Sequence, residues 1–360
     1  LKIPQRQSLL IQTTDILRGA IADGTWSDYL PGERELSQSL LVSRPTLRAA
    51  LDILQREHVI ETNPGKRRKI VRQTKPTPKQ KNPSTVVLVS QSPLYTMSRN
   101  RLFLFDKLHQ TLERNGIRLE VVSHATFGSD RPWKMLQRFA EASDVQGYVL
   151  ARTSRQVQEW FAEKALPCLI VGSSFPGVNI PSIECDYPAI GRHSAGTLMG
   201  KGHRRLLLLT PQTNLAGDLE TETAFLETVS SSTHSSSHCD IIRHEDDAAD
   251  VINKWSKLIA KADRPTAAFS LYPTAALTMV THLLRLGLCL PDEFSIICRD
   301  DTPLLKWMSP AIGHYELPLT TFANRLSSLV MEMAEAGTLP LRHITILPEL
   351  THADSVAVGR

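Results

Sequence analysis

The sequence predicts two folds in one chain: a small winged-helix (α+β) domain over residues 1–72 and a larger two-lobed α/β domain over residues 85–350. Three observations carry this reading. Residues 1–72 hold three short helical patterns, then two strand-like runs around a turn containing Gly65. From Thr85 onward, short apolar runs alternate with helical patterns in two successive series. Between them, residues 73–84 contain three prolines, three lysines and no large apolar side chain, which makes an extended linker.

Each element follows from local pattern. Over residues 5–23, Leu10, Thr13, Leu17, Ala20 and Ile21 share one helical face, and Gly24 ends the helix. Trp26 follows in a loop. A second helix starts at Pro31-Gly32-Glu33-Arg34-Glu35-Leu36, with acidic residues in its first turn, where the helix dipole favours them. Val42 and Ser43 make a tight connection. Ser43 is a good N-cap, and Arg44-Pro45-Thr46 opens a third helix whose buried stripe is Leu47, Leu51 and Leu54. Residues 59–62 and 68–71 read as a hairpin whose tip carries Lys66, Arg67 and Arg68.

In the larger domain, strands are expected at 86–89, 119–122, 147–150 and 168–171, separated by helices at 101–115, 131–142 and 154–165. A second series places helices at 188–201, 218–230, 246–261 and 273–287. Its strands are 205–210, 239–242, 266–270 and 294–298. Two series in tandem predict two parallel-sheet lobes, with a ligand between them at the carboxyl ends of the strands.

Bulk properties narrow the function classes. Apolar residues make up 41%, enough for large cores and too many for a disordered chain. The apolar runs are too short to span a bilayer, and no secretory signal is read at the start, so a cytoplasmic location without membrane contact is expected. The five cysteines are scattered, without CxxC spacing, which suits reduced thiols better than a disulfide framework. Charge is uneven: residues 1–84 hold 15 Lys and Arg against 8 Asp and Glu, and the rest 26 against 29. A basic small domain on a mildly acidic body suggests that one end meets a polyanion.

The pattern inside that basic end has a physical use. A short helix, a tight turn and a second helix with a polar, basic N-terminus fit the DNA major groove. A basic hairpin beside it suits the backbone or the minor groove. The run from Leu30 to Val71 resembles the DNA-binding domain of the GntR family of bacterial regulators. Gly32 stands where Ser is common and Leu41 where Gly is common. The resemblance implies DNA contacts by Arg34, Arg44, Thr46 and Arg48, and a wing tip at Gly65 and Lys66; Ser43 and Arg67 complete the candidate set.

A second resemblance covers the body. Asp186-Tyr-Pro-Ala-Ile-Gly191, Gly200-Lys-Gly-His-Arg-Arg205 and the run Leu286 to Asp301 resemble the LacI/GalR regulators and their periplasmic sugar-binding relatives. It implies a two-lobed periplasmic-binding-protein-like fold. Asp300 matches an Asp that commonly binds ligand hydroxyls, and Asp186 lies at the first crossing between lobes. A carboxylate can accept hydrogen bonds from two hydroxyls, which suits sugars. Two departures stand out. Thr221 takes a position where the family often has Arg, and Leu271-Tyr272 replaces an Asn-Asp pair. Both remove polar groups, so the effector is expected to be unusual or less polar, or the pocket vestigial. The ligand-binding candidates are Asp186, Tyr272 and Asp300.

Other constellations are weaker. His234, His238, Cys239 and His244 cluster, but in a polar Ser-rich loop that fixes no zinc geometry, so no metal is expected. His193 and His203 flank a helix, with His203 read as a helix-end residue. Leu277, Met279 and Leu284 read as core or subunit contact. No GxSxG, HExxH or phosphate-loop motif occurs. No cofactor is expected. A pyridoxal-phosphate aminotransferase body would be longer, with a Schiff-base lysine motif, and a transport component would lack the DNA-binding head. The reading is a homodimeric, non-enzymatic repressor that binds a palindromic operator and a small, possibly sugar-like effector.

Overall fold

Leucines spaced along three helices build the first unit's core, as their periodicity predicts. The computed structural model describes residues 9–22, 25–26, 28–40, 42–57, 59–62, 67–71, 84–128, 132–141, 144–212, 215–232, 237–352 and 354–359. Gly65, Lys66, His234 and nearly all of the linker lie outside the described residues, as does the start of the first expected helix. The chain divides into two units, Leu1–Lys81 and Asn82–Arg360.

In the first unit, α1 (Leu9–Ala22), α2 (Glu33–Ser39) and α3 (Arg44–Arg56) pack around Leu17, Leu36, Leu47, Leu51 and Leu54. Each such side chain contributes about 1.5–3 kcal/mol by leaving water. The Ser43 side chain caps α3 by accepting from the Thr46 amide, and Pro45 sits in the first turn, where its missing N–H costs nothing. Strands β1 (Ile60–Glu61) and β2 (Lys69–Ile70) pair antiparallel, a shorter ladder than the sequence suggests. A third segment joins them. Tyr29 bridges Lys69, and the Leu30 and Ile70 amides donate to the Arg68 and Asp28 carbonyls.

The second unit holds two six-stranded sheets. In chain order the elements are β3 (Thr85–Ser90), α4 (Arg99–Arg114), β4 (Arg118–Ser123), α5 (Trp133–Ala140), β5 (Val145–Ala151), α6 (Arg155–Glu163), β6 (Cys168–Val171) and β7 (Ser182–Cys185). There follow α7 (Tyr187–Gly200), β8 (Arg205–Pro211), α8 (Ala216–Ser230), β9 (His238–His244), α9 (Ala248–Ile259), β10 (Ala267–Ser270), α10 (Pro273–Arg285) and β11 (Ser295–Cys298). The chain closes with α11 (Pro303–Lys306), β12 (Gly313–Glu316), α12 (Leu319–Ala336), β13 (His343–Ile346) and β14 (Glu349–Leu350).

The first sheet runs β13-β7-β6-β5-β3-β4, all parallel. The second runs β14-β12-β11-β10-β8-β9, parallel except for β14. Strands such as Leu206–Leu209 are buried on both faces, which is why they read as continuous apolar runs.

The lobes are not two complete series in tandem. The chain passes to the second lobe after β7, returns after β12 to place α12 and β13 on the first, and crosses again to β14. Phe322, Leu326, Val330 and Met333 of α12 pack against Val86, Leu88 and Val149 of the first sheet. Strands β7 and β12 escape sequence reading because polar residues such as Glu184, His314 and Glu316 interrupt their apolar pattern. Helix α12 ends at Gly337, whose φ of 67° is the left-handed cap conformation that favours glycine.

Candidate functional site

On the first unit, the expected DNA-contacting residues divide into two groups. Arg34, Arg44 and Arg67 are exposed, and among the described residues none has an ion-pair partner. Arg48 is engaged: its Nε donates to Glu33 Oε2 at 2.8 Å, and Arg68 Nη2 donates to the other oxygen at 2.9 Å. The Arg48 hydrogen bond, helped by Arg68 and opposed by burial, holds the Glu33 carboxyl below its ordinary range. Glu33 therefore ties α2, α3 and the wing strand together, a role that its place in a first helical turn does not announce. Thr46 and Ser43 hydroxyls lie 2.7 Å apart and serve the helix cap.

The second unit holds a cleft between its lobes, with a cavity of 680 Å³ lined by Arg101, Arg152, Tyr272 and Asp300 among others. That volume suits a small molecule. Two smaller cavities adjoin it, and Arg101 borders all three.

At the floor lies Arg299, buried to 2% exposure just beyond the end of β11. Its Nη1 donates to Asp218 Oδ1 at 2.6 Å and to Thr221 Oγ1 at 3.3 Å, and its Nε donates to Asp300 Oδ1 at 2.8 Å. The Tyr187 and Tyr272 rings lie 4.9 and 5.3 Å from the guanidinium, as cation–π partners. Tyr272 also donates to Asp218 Oδ2 at 2.9 Å. Burial would raise the Asp218 carboxyl, but Arg299 outweighs it and holds the group below its ordinary value. Gly217 permits this packing, because a Cβ there would sit 2.7 Å from the Tyr187 ring and 2.9 Å from Ser173 Oγ.

This arrangement corrects the expectation of a less polar pocket. Thr221 stands where a family Arg is common, but Arg299 brings a guanidinium back to the same place from another strand. Tyr272 likewise returns a hydroxyl in place of the Asn-Asp pair. Both Tyr272 and Asp300 line the cavity. Asp186 does not: it caps α7, accepting from the Ala189 amide at 2.9 Å, and its neighbour Tyr187 faces the cleft instead. A capping carboxylate directly before a helix has its geometry set by that helix. The residues that sequence reading missed are Arg299, Asp218, Tyr187, Arg101 and Arg152. The one local signal was a charge pair, Arg299-Asp300, ending the apolar run Ile296-Ile297-Cys298.

A second polar group joins the lobes. The Ser173 hydroxyl contacts Glu184 Oε2 on β7 and lies 2.8 Å from Glu220 Oε2 on α8. One hydroxyl carries one proton, so two carboxylates can share it only if one is itself protonated. Burial, with the nearby Glu220 charge, pushes Glu184 up to about 7. Across the cleft mouth, Asn100 Nδ2 of α4 lies 3.5 Å from Asp301 Oδ2. His314 Nε2 lies 3.1 Å from Asp301 Oδ1, close enough for a charge pair though off the direction of a hydrogen bond.

The other candidates are structural in placement. Among the described residues, no group of three or more His, Cys, Asp or Glu could hold a metal. His238 is half exposed near Asp240, while His244 is buried against the Glu245 carbonyl. His203 is buried between Thr266 and the Ala357 carbonyl rather than standing at an open helix end. His193 bonds the Tyr315 hydroxyl. Met279 is core, Leu277 packs against it and Leu284 is exposed. All five cysteines are free, and among the described residues no helix is long and apolar enough to cross a membrane.

The fold is thus a winged helix joined to a two-lobed α/β unit with a cleft between its lobes. Residues 12–70 match the bacterial regulatory proteins of the gntR family, and residues 195–356 match the periplasmic binding protein-like domain. The chain thus carries a segment that matches the gntR-family regulatory proteins and a longer one that matches a periplasmic binding protein-like domain.

Among curated proteins, it is similar to the HTH-type transcriptional repressor PurR of Vibrio vulnificus, at 30% identity over 109 residues, 30% of this chain and 31% of that protein. The HTH-type transcriptional regulator GalS of Salmonella typhimurium is 22% identical over 208 residues, 58% of this chain and 61% of GalS. The chain thus spans about a third of the PurR relative. A putative LacI transcriptional regulator from Bacillus cereus subsp. cytotoxis shares the fold with a TM-score of 0.68 at 14% identity, covering 77% of this chain and 99% of that one. So does a periplasmic binding protein/LacI transcriptional regulator from Alkaliphilus metalliredigens complexed with D-xylulofuranose, with a TM-score of 0.61 at 16% identity, covering 76% and 99%.

Proposed function

We propose that this chain is a DNA-binding transcriptional regulator, acting as a repressor, whose operator affinity is set by a small molecule held between the two lobes. The observation that carries the reading is one chain holding both an α3 with an exposed Arg44 at its N-terminus, without an ion-pair partner among the described residues, and a polar 680 Å³ cleft elsewhere. Arg44 and Arg34 are the base and phosphate readers in this reading, with Lys66 and Arg67 of the wing on the backbone. Arg48 positions α3 through Glu33.

Effector binding acts through differential affinity for open and closed lobes. Asp300 and Tyr272 are the ligand-facing groups of the second lobe. A homodimer supplies the second recognition helix, so the operator is palindromic. Exposed Leu284, Leu286, Leu304 and Trp307 on the second lobe support a subunit contact.

The test is selection of bound duplexes from a random library by the full chain, followed by footprinting. A palindrome with half-sites about one helical turn apart is expected. Binding that shows no sequence preference at physiological salt counts against the regulator reading. Thermal unfolding against sugars, sugar acids and nucleosides then finds the effector, because a native-state ligand raises the melting temperature by mass action.

A further inference from the structure

The arginines of the cleft fall into two kinds. Arg299 is saturated by two carboxylates, a hydroxyl and two rings. Arg101, in the first turn of α4, and Arg152, just past β5, are not. Both border the 680 Å³ cavity and share one smaller neighbour, both are half-buried, and neither guanidinium makes a hydrogen bond or ion pair among the described residues. Asp300 and Tyr187 lie near enough to influence the Arg101 charge, but neither pairs with it. Other partly buried guanidiniums do find carboxylates, as with Arg68 on Glu33 and Arg205 on Asp263.

Leaving a half-buried cation without a partner is costly. Arg152 also holds a φ of 52°, the left-handed region that a non-glycine residue enters only when its surroundings force it. Backbone strain and an unpaired charge therefore coincide on one side chain at the cleft wall. Arg99, exposed at the mouth of the same cavity, adds a third positive charge to the first lobe's wall. The opposite wall presents Asp300, whose Oδ1 is held by Arg299 while Oδ2 is left for another donor.

We propose that the cleft takes an anionic polyol: a carboxylate or phosphate group seated on Arg101 and Arg152, with a hydroxyl-bearing body donating to Asp300. This rests on the effector-binding reading and names the ligand's chemical class. A planar guanidinium fork matches the paired oxygens of either anion, and a carboxylate accepts from a hydroxyl. The anion arrives from the first lobe's wall and the hydroxyls from the second, so one molecule with both ends bridges the lobes and favours the closed state.

The experiment uses the full chain, wild type and the variants Arg101→Gln, Arg152→Gln and Arg101→Lys. Thermal unfolding and calorimetry are run against neutral aldoses, the matching aldonic acids, the matching sugar phosphates and inorganic phosphate, at constant ionic strength. Anionic members are expected to raise the melting temperature where their neutral counterparts do not. Inorganic phosphate alone is expected to raise it more than sodium chloride of equal ionic strength.

Each Gln variant is expected to weaken binding by about tenfold to a hundredfold, as loss of a charged hydrogen bond does, with Arg101→Lys between. Whether the acids or the phosphates bind identifies the anion. A neutral sugar that binds wild type and both Gln variants alike overturns the anionic class and leaves the effector reading standing. If no member of the panel shifts the melting temperature, the inference and the effector reading fall together. Gln variants that then melt below wild type would identify the two arginines as braces between the lobes.

Discussion

The head and the cleft use arginine in opposite ways. In the head, Arg34 and Arg44 stand exposed on adjoining helices, and a closed network is the Glu33 clasp on Arg48 and Arg68. In the cleft, the closed network is the buried centre itself: Arg299 among Asp218, Asp300, Thr221, Tyr187 and Tyr272. An exposed guanidinium costs the fold little and is available to a phosphate or a base edge. A buried one is tolerated only when carboxylates surround it. The contrast teaches that the same side chain reads as a ligand group in one region and as a structural keystone in the other, with burial as the deciding quantity.

The largest test of this contrast is Arg299→Ala. It leaves Asp218 buried without its partner, so a loss of about 3–5 kcal/mol is expected in denaturant unfolding. A change below about 1 kcal/mol would place Arg299 among ligand groups and erase the distinction.

Arg44→Ala is the mirror experiment. It should leave the melting temperature unchanged and weaken the selected operator by about tenfold to a hundredfold, as loss of one base-reading pair does. An equal loss on unrelated duplexes would make Arg44 a phosphate contact instead.

Glu184 sharpens the comparison by pH. Its carboxyl ordinarily titrates at 4.5, and burial lifts it to about 7 in the folded chain. The stability that its proton contributes is complete below the ordinary value and is lost as pH rises through about 7. Wild type should therefore lose on the order of 3 kcal/mol across that window, and Glu184→Gln should lose less. Parallel stability curves for the two proteins would show that the carboxylate is solvated.

Much of the fold was legible because its signals are local. Buried parallel strands such as Leu206–Leu209 are unbroken apolar runs, and the Ser43 cap, Pro45 and the leucine stripe of α3 lie within a dozen residues of one another. Helix α12 carries the same kind of signal in Phe322, Leu326, Leu329, Val330 and Met333, which repeat at helical spacing and are buried. Strands β7 and β12 were hidden for a physical reason. Each ends at the cleft, and cleft-facing ends are polar. Asp186 shows the reverse case, in which a residue placed by family pattern has one carboxylate oxygen engaged by its own helix.

The sequence by itself determined the two-part organisation, the winged head, the alternating sheets and the candidates Asp300 and Arg44, because periodicity, capping and turn chemistry act over a few residues. Only the tertiary structure decided which side chain supplies the guanidinium beside Thr221, which arginines are satisfied and which are not, and that the chain crosses between lobes three times. Those facts depend on pairs such as Arg299 and Asp218, 81 positions apart. It is the parallel pairing of β8, β10 and β11 that brings strands distant in sequence side by side.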